Sequence, residues 1–169
     1  MLSNGECFIN FSLYGRILFE RFNISIFYHF VMTKEQHLHD EKLIGFFSDF
    51  IDWERRAEGE GGFFESVLGE HGCKRVFDSC VGDGCDAVRL LEGGFDVVGN
   101  DLDARFRKLA IERARGKGFE LEAFDYDWRE LPEDLFGGFD AVLCLGNSLT
   151  YLFDLNDRVA AVNNFVRLV

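Results

Sequence analysis

Val76-Phe77-Asp78-Ser79-Cys80-Val81-Gly82-Asp83-Gly84-Cys85-Asp86-Ala87 reads as a strand that runs into a glycine loop and then into a helix. Glycines at 82 and 84 let the backbone turn tightly and approach a ligand closely, where a side chain would clash. Outward from this stretch the chain alternates. The strand is expected near Arg75 to Cys80, followed by a helix from Asp86 to Glu92 stopped by Gly93-Gly94, then a strand from Phe95 to Gly99. A second helix is expected from Asp103 to Arg115, with Phe106, Leu109 and Ala110 on its apolar side, and a third strand near Phe119 to Phe124. After the loop around Pro132, Phe139 to Leu145 reads as a fourth strand buried on both faces. Upstream, Ile51 to Gly69 has helical spacing at both ends with Gly59, Gly61 and Gly62 between, so two short helices or one bent helix are expected.

The final helix carries Leu155, Val159, Val162 and Val166 at spacings of four, three and four, which predicts one apolar stripe facing the sheet. Strands alternating with helices in this way imply an α/β fold, a parallel sheet flanked by helices, with ligands at the carboxyl ends of the strands.

Composition narrows the function. A chain of 169 residues with 47% hydrophobic content suffices for one packed domain. With 30 acidic against 18 basic side chains the net charge is -12, which repels phosphate backbones, so nucleic acid is not an expected partner. No apolar run reaches the roughly 18 residues a membrane span needs, so no membrane partner is expected either. The five cysteines (Cys7, Cys73, Cys80, Cys85, Cys144) are odd in number, lie in apolar runs and lack paired spacing, which fits small core residues in a reducing cytoplasm. Residues 1–31 are dense in Phe and Ile, but Arg16, Glu20 and Arg21 interrupt any signal-peptide core. Two readings stand for them: they precede the natural start of a domain spanning 32–169, or they form an apolar extension that packs on the domain or a partner.

The glycine loop alone does not separate a dinucleotide from S-adenosylmethionine. Three acids add information. Asp78, at the strand end four residues before Gly82, would repel a pyrophosphate but attract the ammonium of a methionine moiety. Asp101 ends the next strand, where an acid accepts hydrogen bonds from ribose hydroxyls. Asp127-Trp128 follows the third strand, offering an acceptor for an adenine amino group beside an aromatic body. Against this, Asp101, Asp103 and Asp125 could each be only a turn residue or helix N-cap, and Trp128 only core.

The stretches Ile51 to Glu58 (IDWERRAE), His71 to Asp78 (HGCKRVFD), Leu90 to Val97 (LLEGGFDV), Asp127-Trp128-Arg129 and Phe139 to Ser148 (FDAVLCLGNS) resemble glycine and sarcosine N-methyltransferases. These belong to the class I S-adenosylmethionine-dependent methyltransferases, with a Rossmann-like fold, and the resemblance covers roughly Gly45 to Val169. It implies that Arg56 holds the cofactor carboxylate and that Cys80, Gly82 and Gly84 line the methionine end. Asp101 would take the ribose, Asp127 and Trp128 the adenine, and Leu145 and Asn147 would form the loop beneath the sulfonium. The implied acceptor is a small amine or amino acid, with no metal required and no general base assigned; an oligomer is compatible with the sequence. Two rival readings are an NAD-binding oxidoreductase domain and a non-catalytic methyltransferase-like remnant or subunit.

There are departures. Asp83 stands where the family usually has threonine, which would add negative charge near a cofactor that has its own carboxylate, and Phe46-Phe47 replace a tyrosine. Relative to the family topology the chain stops at Val169, so the fold is expected to be incomplete after the fourth strand. The edge of Phe139 to Leu145 would then be unpaired and prone to aggregate or recruit another chain, and the isolated chain would have little or no methyltransferase activity.

Overall fold

The computed structural model describes residues 7–10, 53–146 and 148–169. A five-stranded parallel sheet organises them. Its strands are β1 (Cys7–Asn10), β2 (Arg75–Asp78), β3 (Asp96–Asn100), β4 (Glu122–Phe124) and β5 (Ala141–Cys144), in the spatial order β1-β5-β2-β3-β4. Helices α1 (Trp53–Glu60), α2 (Phe63–Glu70), α3 (Cys85–Glu92), α4 (Ala104–Gly116) and α5 (Leu155–Leu168) complete the frame. The break between α1 and α2 falls at Gly61-Gly62, so the segment forms two short helices.

Alternation along the strands divides the core into two layers. Val76, Val97 and Leu143 face Phe64 and Leu68 of α2, Val88 and Leu90 of α3, and Ala110 and Ala114 of α4. Phe77, Val98 and Val142 face Leu131, Phe139, and Phe165 and Leu168 of α5. Ala141, Val142 and Leu143 are all buried, as expected of a strand covered on both faces. Burying a side chain such as Phe77 or Phe165 contributes about 1.5–3 kcal/mol.

Two expectations are corrected. On α5 the buried residues are Ala161, Phe165 and Leu168, while Leu155, Val159 and Val166 are exposed. The two apolar stripes lie one residue, about 100°, apart on the helix. The ring of Phe165, edge-on to Trp128 at 5.4 Å, selects the one that packs. On α4, Ala110 and Ala114 are fully buried, with Phe106 and Leu109 half-buried. Finally, the edge of β5 expected to be bare is paired: Cys7 to Asn10 run parallel to Ala141 to Cys144 in register. A strand from the N-terminal side of the chain therefore satisfies the β5 ladder.

Candidate cofactor-binding site

The carboxyl ends of β2, β3 and β4 are drawn together by one amide. Asn100, at 1% exposure, donates from Nδ2 to the carbonyls of Ser79 (3.2 Å) and Tyr126 (3.1 Å), and its Oδ1 accepts from Tyr126 N–H (2.9 Å). Burying such a group is favourable only with its hydrogen bonds made, and these three make them between strand ends. Trp128 joins the same point, its indole N–H donating to Ser79 O at 2.7 Å.

Asp78 and Asp101 lie near this junction, close enough for their charges to interact. Asp78, at 2% exposure, accepts a long hydrogen bond from Cys80 N–H (3.3 Å), and no described ion pair includes it. Burial, reinforced by the charge of Asp86, pushes its pKa up to about 7; Asp101 pushes the same way and Arg56 opposes. Asp101 Oδ2 accepts from Gly82 N–H (3.1 Å) and lies 3.7 Å from Cys80 Sγ, while Oδ1 accepts from Asp103 N–H (2.9 Å). It is thus a turn residue and also a strut between the β3 end and the glycine loop. Burial raises its pKa, against those hydrogen bonds.

Arg56 reaches this region from α1. Its Nη2 lies 3.0 Å from Asp86 Oδ2 and its Nε 2.7 Å from Glu60 Oε1, while Arg89 bridges Glu60 (2.8 Å) and Glu65 (3.2 Å). Burial opposes the charge on Arg56, but Asp86 and Glu60 outweigh it and hold its pKa above the usual arginine value. The network anchors the guanidinium at the first turn of α3, close enough to Asp78 for the two charges to interact.

The two loop glycines have different physical reasons. Gly82 has φ of +53° and open space where a Cβ would project. Gly84 has φ of +80°, and a Cβ there would lie 2.6 Å from Ala110 Cα, so its missing side chain makes room for α4. Asp83 also differs from expectation. Its carboxylate turns to Arg113 of α4, Nη2 to Oδ2 at 3.1 Å, so its charge is partnered.

Beyond β4, Asp127 caps the short turn Trp128–Glu130 and is clasped by Arg129, with Nη2 to Oδ2 at 2.6 Å. Trp128 is half-buried in the second core layer, so the core reading of it and its place beside Ser79 both hold. Leu145, just past β5, is buried. Asn147 lies outside the described residues, as do Phe46-Phe47 and residues 1–31 other than β1. Burial and neighbouring acids push the Cys80 thiol well up and the Cys85 thiol up to about 12, which disfavours the thiolate at both.

Asn100, Asp86 and Arg113 escaped the sequence reading. A polar residue closing the apolar run Val97-Val98-Gly99 was the available signal for Asn100. Asp86 was read only as a helix start, and Arg113 carried no signal, since its partner is distant in sequence.

Residues 76–169 match the family described as a methyltransferase domain. The chain belongs to that family. The glycine/sarcosine N-methyltransferase of Halorhodospira halochloris is 42% identical over 132 residues, covering 76% of this chain and 49% of the relative. That of Parasynechococcus marenigrum is 42% identical over 137 residues, covering 79% and 49%. This methyltransferase domain thus spans about half the length of these curated relatives. Among solved structures, a protein of Pyrococcus horikoshii OT3 matches with a TM-score of 0.59 at 20% identity, covering 95% of this chain and 58% of that one. An amino pentose methyltransferase from Micromonospora echinaspora, solved with S-adenosylmethionine bound, matches with 0.57 at 20%, covering 77% and 52%. These likenesses establish the Rossmann-like methyltransferase fold. Among the described residues no helix is long and apolar enough to cross a membrane.

Proposed function

We propose that this domain binds S-adenosylmethionine and serves N-methylation of a small amino acid of the glycine or sarcosine type. The observation that carries the reading is Asp78: a buried carboxylate whose one hydrogen bond among the described residues is long, and which lies within electrostatic reach of both Arg56 and Asp101. A site that holds a carboxylate in want of a cation suits an ammonium group, and a guanidinium nearby suits a carboxylate. The donor set therefore fits the two ends of an amino-acid moiety, and fits a pyrophosphate poorly, because Asp78 would repel it.

In this reading Arg56 takes the methionine carboxylate, Asp78 its ammonium, and Cys80 and Gly82 line the chain between. Gly84 shapes the loop. Asp101 receives the ribose hydroxyls with the lone pairs left beside Gly82 N–H and Asp103 N–H. Asp127 and Trp128 border the adenine, with Arg129 fixing the carboxylate. Leu145 and Asn147 form the loop under the sulfonium, and Asn147 positions the acceptor.

The cofactor supplies a methyl group on a positively charged sulfur. The chain's contribution is to orient the two partners in line and exclude water, since charge leaves sulfur as the bond to nitrogen forms. The named relatives, glycine/sarcosine N-methyltransferases, support a small amine acceptor.

Calorimetric titration of the 169-residue chain with S-adenosylhomocysteine and, separately, with NAD tests the reading. Binding of the former alone is expected; binding of NAD without S-adenosylhomocysteine would overturn it.

A further inference from the structure

Arg113 lies on α4, outside the set of residues that border the proposed cofactor, yet it grips the glycine loop twice at one residue. Its Nε donates to the carbonyl of Asp83 at 2.9 Å and its Nη2 to Asp83 Oδ2 at 3.1 Å. Asp83 is 2% exposed, while the Arg113 side chain is 35% exposed. A fork that takes the carbonyl and the carboxylate of the same residue fixes both its peptide plane and its side chain.

The consequences run along the loop in both directions. The carbonyl of Asp83 belongs to the same peptide as Gly84 N–H, which donates to Val81 O at 2.9 Å. Asp83 Oδ1 accepts from Cys85 N–H at 3.3 Å, the first residue of α3. On the other side, Gly82 N–H donates to Asp101 Oδ2 at 3.1 Å. Ala110, three residues before Arg113 and so on the same face of α4, abuts Gly84. One helix face therefore holds the loop at two adjacent residues, by contact at Gly84 and by the guanidinium at Asp83.

We propose that Arg113 is a positioning residue for the cofactor-binding loop, acting through Asp83 to hold Val81 to Cys85 in the conformation that meets the cofactor. The pair works as a unit. Aspartate between the two glycines is compatible with an anionic ligand end because Arg113 both neutralises it and fixes it against α4. Removing the arginine takes away the cation that the structure sets against a buried carboxylate, which is expected to draw the loop toward solvent. Lysine is a poor substitute, being a point charge that cannot span carbonyl and carboxylate together. This inference rests on the cofactor reading above.

The test compares wild type, R113K, R113M, D83T and the double variant R113M/D83T by calorimetric titration with S-adenosylhomocysteine. Amide hydrogen exchange of the unliganded proteins is measured in parallel. R113M is expected to weaken binding about tenfold and to speed exchange at Val81 to Cys85 while the sheet stays protected. R113K should recover little of this, whereas D83T in the R113M background should restore both binding and protection, because a neutral residue no longer needs the guanidinium. Wild-type binding by R113M, or uniformly faster exchange with no rescue in the double variant, would overturn the proposal. If wild type binds no S-adenosylhomocysteine, the cofactor reading fails, and loop exchange still decides whether Arg113 governs the loop.

Discussion

The indole N–H of Trp128 and the side-chain amide of Asn100 donate to the same acceptor, the carbonyl of Ser79, at 2.7 and 3.2 Å. That carbonyl sits between Asp78 and Cys80, so the orientation of the β2 end is set from the ends of β3 and β4. The methionine side and the adenine side of the proposed site are thereby tied to one peptide.

Asn100 is the more demanding partner, because it also exchanges two hydrogen bonds with the backbone of Tyr126. N100L would strand the Tyr126 N–H and C=O and is expected to cost about 3 kcal/mol by denaturant unfolding. N100D should lose more stability between pH 5 and pH 8 than wild type does, since a new carboxylate would face the carbonyls of Ser79 and Tyr126. A loss in N100D no larger than that of wild type would contradict this.

Asp78 gives a pH dependence whose sign follows from its raised pKa. A carboxyl that titrates near 3.8 unfolded and about 7 folded binds its proton more tightly in the folded state. Its contribution is complete below pH 4 and is lost as pH rises toward 7, so the unliganded protein is expected to be less stable at pH 8 than at pH 5. At about 1.4 kcal/mol per pH unit, ionising this one group costs roughly 4 kcal/mol. D78N should raise the unliganded melting temperature at pH 8 and weaken S-adenosylhomocysteine binding by more than about tenfold. Binding by wild type should itself weaken below pH 7, as the carboxyl takes up a proton. A variant that is no more stable at pH 8, and binds as wild type does, would remove Asp78 from both roles.

The order of strands and helices from Arg75 to Leu168 was legible because each strand is a short apolar run and each helix is bounded by glycine or a capping aspartate. Asp103, read as a possible N-cap, caps α4 by accepting from Arg105 N–H, and the structure adds Asp154, which caps α5 by accepting from Asn156 N–H. The acids at strand ends were legible for the same reason, since position along a strand is a local property. What resisted reading is pairwise. Nothing local ties Asp83 to Arg113, thirty residues on, or Cys7 to Ala141, and the choice between two neighbouring stripes on α5 depends on the shape of the surface it meets.

β1 leads to a prediction about solubility. Four residues pair with β5 along the side that would otherwise expose backbone donors and acceptors beside the buried run Ala141 to Leu143. Deleting residues 1–10 uncovers that edge, and an uncovered apolar edge templates pairing with another chain. The deletion variant is expected to elute as dimers or larger species in size-exclusion chromatography with light scattering, at concentrations where the full chain is smaller. An unchanged mass would mean that β1 does not protect the edge.

The two stripes of α5 make opposite predictions under substitution. Phe165 is 2% exposed and meets Trp128 edge-on at 5.4 Å, within the layer that holds Phe77 and Leu168. Truncating it to alanine opens a cavity that the strands cannot close, since Val142 and Phe77 are fixed by their ladders. F165A should therefore cost about 3–5 kcal/mol. Val159 and Val166 are 49% and 42% exposed, so V159S and V166S each remove little buried surface and should stay within about 0.5 kcal/mol of wild type. Serine lowers helix propensity only slightly relative to valine or not at all, so that term does not blur the contrast. Urea denaturation of the three variants separates the cases: a large loss in V159S or V166S with a small one in F165A would mean that α5 presents the valine stripe to the sheet.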